Sequence, residues 1–337
     1  MMSTSIRGAV LAILLGATTP ALWALPTLYH LQDLGATSSG EHINASGEVS
    51  GIDPRFGLRP AVWIDGVASD LDDKGMGGWA HWVNASGVAA GAIGSSAALW
   101  SETGVLTDLG EILGWDHSDV KAINDAGDCT VLRLAADGER SFLLPGCTGA
   151  NPVDLGSLGG DSTTTVGINA RGQIAGTSAL ENGGYGNRAF LWESGHMRNL
   201  GVLPLCIASY ARGLSSQGHV AGYCVDRKHK PTGVFWNGRK MAKVGTLGGK
   251  HSTALGVNHF DIVVGSAQTS DGTWHPFVLD KGTHGATMRD LTTMLDSSGA
   301  GWHLDAALGI NNAGRILVRG VVDGDGAERS AILTPVK

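Results

Sequence analysis

The amino-acid sequence predicts an all-β protein, a seven-bladed β-propeller with four-stranded blades. Three observations predict it: seven imperfect copies of one sequence unit, a composition suited to short strands and tight turns, and chain ends that each carry part of one copy. The units are about 45 residues long, which is the length of one propeller blade. Glycine makes up 52 of 337 residues and 42% of the chain is apolar, so the chain has both abundant turn residues and the material for a core.

Each copy is anchored on an Asn that ends a short apolar run and is followed three residues later by Gly. The Asn side chain accepts hydrogen bonds from the backbone ahead of it and Gly takes a positive φ, so this spacing predicts a hairpin turn. The fifth copy has Ser at the anchor, and the sixth has Asp261 in place of the Gly. The seven anchors are Asn44, Asn84, Asn124, Asn169, Ser215, Asn258 and Asn311.

The turn separates the first two strands of a copy, which we call A and B, and an apolar run and a final short segment predict strands C and D. The first element of the chain, residues 28–35, has a strand-D sequence with no A, B or C before it. The last, which ends at Pro335, has a strand-C sequence with no D after it. We therefore expect the N-terminal strand to complete the last blade and close the ring, in a single domain spanning residues 25–337.

Residues 1–24 read as a secretory signal, with Arg7 as the basic region and an apolar stretch over residues 8–18. Cleavage is expected after Ala24, with Ala21 as the alternative. The apolar stretch is too short to span about 30 Å of hydrocarbon, so no membrane span is expected after cleavage. The sequence predicts export to the periplasm or the medium.

Charge and cysteine content exclude two classes of function. The chain has a net charge of −7 and no cluster of Lys and Arg, which argues against nucleic-acid binding. Four cysteines allow three pairings, and the absence of a CxxC pair excludes the common zinc sites. Their positions on the predicted strands favour two disulfides, each within one blade: Cys129–Cys147 and Cys206–Cys224.

Two sets of tryptophans differ in their expected roles. Trp63, Trp100, Trp192 and Trp236 recur at the end of strand C, which is typical of packing between blades. Others occur where the loops between strands D and A depart from the repeat. The departing residues, which we treat as candidate ligand-binding residues at the channel mouth, are Trp115, Asp116, His117, His251, Trp302 and His303.

These loop residues have two interpretations. Indole faces stack on sugar rings and neighbouring His or Asp can hydrogen-bond hydroxyl groups, which favours a ligand platform. Alternatively, the Trp rings pack on neighbouring blades and the His residues are solvated. A metal site formed by His117, His251 and His303 is not required by any local spacing, and residues 323–328 resemble a calcium loop only in part, so a plain turn is favoured. No metal or cofactor is therefore predicted.

No nucleophile-elbow, zinc-protease or phosphate-loop motif occurs in the sequence. The favoured function is a non-catalytic binding or interaction protein, expected to be a monomer, with a glycan or cell-envelope component as ligand. A hydrolase or lyase acting at the channel mouth, with or without a metal ion, is one alternative. A structural scaffold that binds another protein through its rim is the other.

The repeat also resembles a known family. The pattern consists of three segments: D-L-G-x-L-G-G-x-S, I-N-x-x-G-x-x-x-G and A-F-L-W-x-x-G. It is similar to the bacterial extracellular HAF repeat, most clearly over residues 154–201 and 244–282. The signature His-Ala-Phe is altered in every copy, the nearest being Arg188-Ala-Phe190 and His275-Pro-Phe277. The resemblance implies an extracytoplasmic repeat protein and brings no established activity with it.

Overall fold

The computed structural model describes residues 25–336 except 137, 182–185, 239 and 282–286. The predicted signal, residues 1–24, lies outside the described residues. The described chain is all-β, as predicted, with strands β1–β28 and few helical residues. The helical segments are α1 (Leu109–Leu113) and short 3-10 helices at Pro54–Phe56, Pro145–Cys147, Leu291–Met294 and Ser297–Gly299.

The strands fall into seven groups of four, which we call units 1 to 7 and whose strands are A to D in order. Unit 1 contains β2 (Ser39–Ile43), β3 (Val49–Asp53), β4 (Arg59–Ile64) and β5 (Val67–Asp70). Unit 2 contains β6 (Gly78–Val83), β7 (Ala89–Ile93), β8 (Ser96–Trp100) and β9 (Leu106–Asp108). Unit 3 contains β10 (Ser118–Ile123), β11 (Cys129–Ala135), β12 (Gly138–Leu144) and β13 (Val153–Asp154).

The second half of the chain repeats this order. Unit 4 contains β14 (Gly159–Ile168), β15 (Ile174–Leu180), β16 (Arg188–Glu193) and β17 (His196–Asn199). Unit 5 contains β18 (Ala208–Leu214), β19 (Val220–Val225), β20 (Pro231–Trp236) and β21 (Met241–Lys243). Unit 6 contains β22 (Gly248–Val257), β23 (Ile262–Thr269), β24 (Trp274–Asp280) and β25 (Arg289–Asp290). Unit 7 contains β26 (Trp302–Ile310), β27 (Ile316–Val322), β28 (Glu328–Pro335) and β1 (Tyr29–Asp33).

Strands within a unit pair antiparallel, and five units form separate four-stranded sheets. Units 3 and 4 form one eight-stranded sheet, joined by a single parallel pairing between Glu139 and Ser162. In unit 7 the N-terminal strand β1 pairs with β28, Tyr29 opposite Pro335. The N-terminal strand therefore supplies strand D of the last unit, as the chain ends predict.

Glycines at two repeat positions serve different purposes. At the A–B turn the Gly has a positive φ, for example +74° at Gly87, which a residue with a side chain adopts at a cost. Asp261 adopts φ 59° at the same position in the sixth copy. Four residues after the turn Gly, Gly91 faces strand A so closely that a side chain would collide with the carbonyl of Trp79. The first Gly shapes the turn, whereas the second lets two strands approach.

The core consists of hydrophobic clusters that each join two consecutive units. One cluster combines Val62 of unit 1 with Trp100 of unit 2, and another combines Trp63 of unit 1 with Leu317 of unit 7. The strand-C tryptophans belong to these clusters, as their recurrence predicts. Trp63 is fully buried and its Nε1 donates to the carbonyl of Leu34, 3.0 Å away, in the chain that follows strand D of unit 7. Each unit is thus stabilised mainly by its neighbours.

Both predicted disulfides are present. Cys129 and Cys147 have Cα atoms 5.3 Å apart, and Cys206 and Cys224 have Cα atoms 5.8 Å apart. The described residues include no helix with the length and apolar composition of a membrane-spanning helix. Disulfides form and persist in oxidising compartments, so they are consistent with an exported protein.

Candidate functional site

The A–B turns of all seven units meet around one central cavity. Each anchor Asn has a double role, which Asn84 illustrates. Its Oδ1 accepts the backbone N–H groups of Ser86 and Val88, both at 3.0 Å, and so forms the turn. Its Nδ2 donates to the backbone carbonyl of Asn124, the anchor of the next unit, at 3.2 Å. The anchor therefore shapes its own unit and ties it to the following one.

These bonds between anchors continue around the cavity. Asn44, Asn84, Asn124 and Asn169 each donate to the carbonyl of the next anchor, over 2.9 to 3.2 Å. Asn258 donates to the carbonyl of Asn311, which donates to that of Asn44 at 3.0 Å. The last of these bonds connects unit 7 to unit 1. The anchor side chains thus make structural bonds within their own turn and to the next unit.

The chain of bonds is interrupted between units 5 and 6. The Ser215 hydroxyl accepts from the backbone N–H groups of Gln217 and His219, but among the described residues it makes no bond to Asn258. Other contacts join these two units instead. The Ser216 hydroxyl lies 2.8 Å from His259 Nδ1, and His219 Nδ1 lies 2.7 Å from a carboxylate oxygen of Asp261. The two irregular copies of the repeat therefore interact with each other at this junction.

Two aromatic rings form one side of the cavity. His42 and Trp82 stack with ring centroids 3.7 Å apart and an angle of 17° between the planes. Both precede their anchors by two residues, a position that is Gly in units 4 to 7. A Cβ on Gly167 would lie 3.5 Å from Cη2 of Trp82. The glycines therefore leave room for the indole, which extends across the channel to unit 4.

The cavity above these rings is small and partly polar. Its volume is about 190 Å³ and is below the roughly 300 Å³ of pockets that enclose drug-sized ligands. The residue after the anchor lines the rim in six of the seven units, and four of these six residues are polar: Asp125, Ser216, His259 and Asn312. Asp125 and Asn312 accept the backbone N–H groups of Ala85 and His259, at 2.8 and 2.9 Å. The cavity thus combines an aromatic surface with hydrogen-bonding groups and suits one sugar ring or one short side chain.

The His42 ring is electrostatically isolated. Its Nδ1 is buried and has no hydrogen-bond partner in the described part of the chain. Burial lowers the pKa of His42 to about 3, and the hydrogen bond to the backbone of Val83 opposes this shift only weakly. The ring is therefore neutral at physiological pH and contributes a flat, uncharged face to the channel.

The six residues singled out in the D–A loops do not line this cavity. They lie just before strand A or within its first four residues, whereas the anchors follow it, so they belong to the other end of the units. Trp115 is half-buried against the core of units 2 and 3, 4.8 Å from the ring of Phe142. Asp116 and His117, next to it, are exposed. The packing of Trp115 agrees with the structural interpretation of that residue.

The remaining three are distributed over units 6 and 7. His251 is half-buried on β22 and lies near Asp226. The pKa of Asp226 is lowered mainly by a hydrogen bond from the backbone N–H of Lys230 and, to a smaller extent, by His251. Trp302 packs against the core of units 6 and 7. His303 is exposed and 2.8 Å from a carboxylate oxygen of Asp323. Each of the three thus contacts a different set of residues.

The segment that resembles a calcium loop is a turn between β27 and β28. Its carboxylates are engaged by protein cations: Asp325 pairs with Arg329, and Glu328 lies 2.7 Å from Arg319. Over the described ranges, no group of three or more His, Cys, Asp and Glu side chains is arranged to hold a metal ion.

His42 and Trp82 are the site residues that sequence reasoning missed. A signal for them was present, because they are the only bulky residues at a repeat position that elsewhere holds Gly or Ala. Their contact was not visible in the sequence, since they belong to different units and meet only when the A strands come together.

No protein-family model matches this chain, and no curated protein is significantly similar to it. Solved structures of similar fold include a catalytically inactive virginiamycin B lyase from Staphylococcus aureus with quinupristin, at a TM-score of 0.51 and 9% identity over 91% of this chain and 100% of that one. A streptogramin B lyase has a TM-score of 0.50 and 13% identity, and the match covers 91% of this chain and 98% of that one. A puromycin hydrolase mutant has a TM-score of 0.53 and 11% identity, and the match covers 88% of this chain but only about half (52%) of that one. At these identities the likeness is one of fold, and the fold is β-propeller-like.

Proposed function

We propose that this protein is an exported seven-bladed β-propeller of the HAF-repeat type that binds a glycan or another cell-envelope component in its central channel. The seven units are its blades, and the N-terminal strand closes the ring. Support for closure comes from the seam between units 7 and 1, where Trp63 packs beside Leu317 and Asn311 donates to the carbonyl of Asn44. Support for export comes from the two disulfides and from the signal-like sequence at residues 1–24.

The observation that carries the binding role is the cavity at the A–B turns. Turns from all seven units surround it, the Trp82 and His42 rings supply a flat surface, and polar side chains occupy the rim. Such a combination is suited to a sugar ring, whose C–H face stacks on an indole and whose hydroxyl groups bond to polar neighbours. Its volume limits the bound part to one terminal residue or branch of a larger molecule.

Replacement of Trp82 by Ala is expected to weaken sugar binding at least about tenfold, because it removes the stacking surface. The measurement is calorimetric titration of the mature protein with a panel of neutral, N-acetylated and acidic oligosaccharides. Trp79→Ala is the matched control, since Trp79 lies on the same strand, is 46% exposed and does not line the cavity. If Trp115→Ala or Trp302→Ala abolishes binding while Trp82→Ala does not, the site is at the D–A loops and the proposal is wrong.

A second candidate function is ester hydrolysis in the same cavity. The observation that favours it is the 2.8 Å contact between the Ser216 hydroxyl and His259 Nδ1, both at the cavity rim. His259 would take the hydroxyl proton as the Ser216 oxygen attacks an acyl carbon, and would pass that proton to the leaving alkoxide. Water, deprotonated by the same ring, would then attack the acyl-Ser216 ester, release the carboxylic acid and restore the hydroxyl group. No carboxylate bonds to His259 among the described residues to orient the ring, so binding remains the first proposal.

Hydrolysis of p-nitrophenyl acetate tests this second candidate. If the pair is catalytic, Ser216→Ala lowers the rate by about 100-fold or more, while Trp79→Ala leaves the rate unchanged. A wild-type rate equal to that of buffer, or one that survives Ser216→Ala, contradicts hydrolysis at this pair. Neither result affects the test with Trp82.

A further inference from the structure

A second cleft lies between units 3, 4 and 5, away from the A–B turns. It has a volume of about 220 Å³, and strand A residues of two units form its inner wall: Ser162, Thr164 and Val166 of β14, and Tyr210 and Arg212 of β18. Glu139, at the start of β12, and Asn187, just before β16, lie at the side of the B–C loops. The cleft therefore extends along strand A towards the B–C loops, and it shares no lining residue with the cavity that Trp82 lines.

Two opposite charges face this cleft without pairing with each other. Arg212 is exposed, lies 5.5 Å from the centre of the Tyr223 ring and donates to the Tyr223 hydroxyl at 3.1 Å. Glu139 accepts a hydrogen bond from the Ser162 hydroxyl at 3.0 Å. Among the described residues neither forms an ion pair. Two unpaired charges on the walls of one cleft leave space between them for a ligand that carries both opposite charges.

The remaining lining completes such a site. Tyr210 stacks on its cross-strand partner Tyr223, with ring centroids 5.2 Å apart, so its ring is held in place as one wall. The side chains of Thr164, Thr177 and Asn187 have no hydrogen-bond partner among the described residues. The cleft thus has a cation, an anion, a fixed aromatic wall and unused hydrogen-bonding groups within a volume suited to about one amino-acid residue.

We infer that this cleft binds a zwitterionic amino acid or dipeptide, with its carboxylate on Arg212 and its ammonium group on Glu139. A guanidinium group bonds a carboxylate through two parallel N–H donors, which fixes its orientation, and Glu139 adds a charge-assisted bond to the amine. Tyr210 covers the ligand side chain. This inference stands independently of the function proposed for the channel cavity.

Calorimetric titration with the dipeptide Ala-Ala tests the inference on the wild-type protein without any substitution. N-acetyl-Ala-Ala lacks the ammonium group and Ala-Ala amide lacks the carboxylate. We expect Ala-Ala to bind and each derivative to bind about tenfold more weakly, because each loses one charge-assisted bond. Undetectable binding of Ala-Ala at millimolar concentration, or N-acetyl-Ala-Ala bound as tightly as Ala-Ala, overturns the inference.

Two variants then assign each charge to its partner. Arg212→Gln is expected to weaken Ala-Ala binding about tenfold and to bind the amide no worse than Ala-Ala. Glu139→Gln is expected to weaken Ala-Ala binding about tenfold and to bind N-acetyl-Ala-Ala no worse than Ala-Ala. The matched control is Arg133→Gln, because Arg133 is also an exposed Arg over an aromatic ring, that of Trp115, and does not line the cleft. Equal binding by wild type, Arg212→Gln and Glu139→Gln overturns the inference, and unaltered binding by Trp82→Ala separates this site from the channel cavity.

Discussion

Replacement of Asn84 by Ala is expected to lower the free energy of unfolding by about 4 kcal/mol. The side chain is 4% exposed and makes three hydrogen bonds, two as acceptor within its own turn and one as donor to the carbonyl of Asn124. Alanine removes all three bonds, of which the one to Asn124 is buried and the two in the turn are partly buried, and loss of each bond costs about 1–1.5 kcal/mol. Urea denaturation of the variant and the wild type measures the difference.

The protein contains its own control for this prediction, because the fifth copy already has Ser at the anchor. Asn84→Ser keeps an acceptor for the two turn bonds and removes only the bond between units, so we expect a loss of about 1 kcal/mol. Ser215→Asn adds a donor where the chain of bonds is interrupted, and a gain of about 1 kcal/mol is expected. Equal losses for Asn84→Ser and Asn84→Ala would contradict the assignment of two bonds to the turn.

Repetition explains why much of the fold was predictable. A hairpin predicted from Asn and Gly alone is a weak inference, but the same spacing at Asn44, Asn84 and Asn124 makes it strong, since the copies support one another. The strand order within one copy then applied to all of them. It also placed Cys206 and Cys224 at matching distances from the turn at Ser215, which is why the disulfides were predicted correctly.

The double role of the anchors was not predictable, for a physical reason. The turn bonds of Asn84 are local and follow from the residue type, whereas its bond to the carbonyl of Asn124 exists only when two units are packed side by side. Sequence spacing contains the first kind of information and not the second.

The channel rings were missed because strand A is irregular near its end. By simple alternation, Ala80 and Trp82 would face the same side of the sheet. A register shift falls between these two residues, and such an irregularity turns the later side chain. Ala80 therefore packs in the core of units 1 and 2, while Trp82 contacts the clusters of units 2 to 4 and stacks on His42. The irregular loop residues Trp115 and Trp302, by contrast, were conspicuous in the sequence and pack against cores.

Acidification from pH 7 to pH 4 is expected to cost the wild-type protein about 3 kcal/mol of stability through His42 alone. Burial lowers the pKa of His42 in the folded protein to about 3, from an ordinary value of 6.5. Below pH 6.5 the unfolded chain therefore binds a proton that the folded protein does not, and the free energy of unfolding falls with pH. This loss continues down to about pH 3, where the folded form also becomes protonated.

The His42→Phe variant isolates this contribution, because phenylalanine keeps a flat ring beside Trp82 and does not titrate. Denaturation at pH 7 and pH 4 should show a loss smaller by about 3 kcal/mol in the variant than in the wild type. His117→Phe, at an exposed histidine, is the matched control and should retain the wild-type loss. Identical pH dependence in wild type and His42→Phe would contradict the prediction. An NMR titration gives a check that needs no variant: the His42 ring signals should not shift between pH 7 and pH 4, because the folded protein keeps this ring neutral over that range.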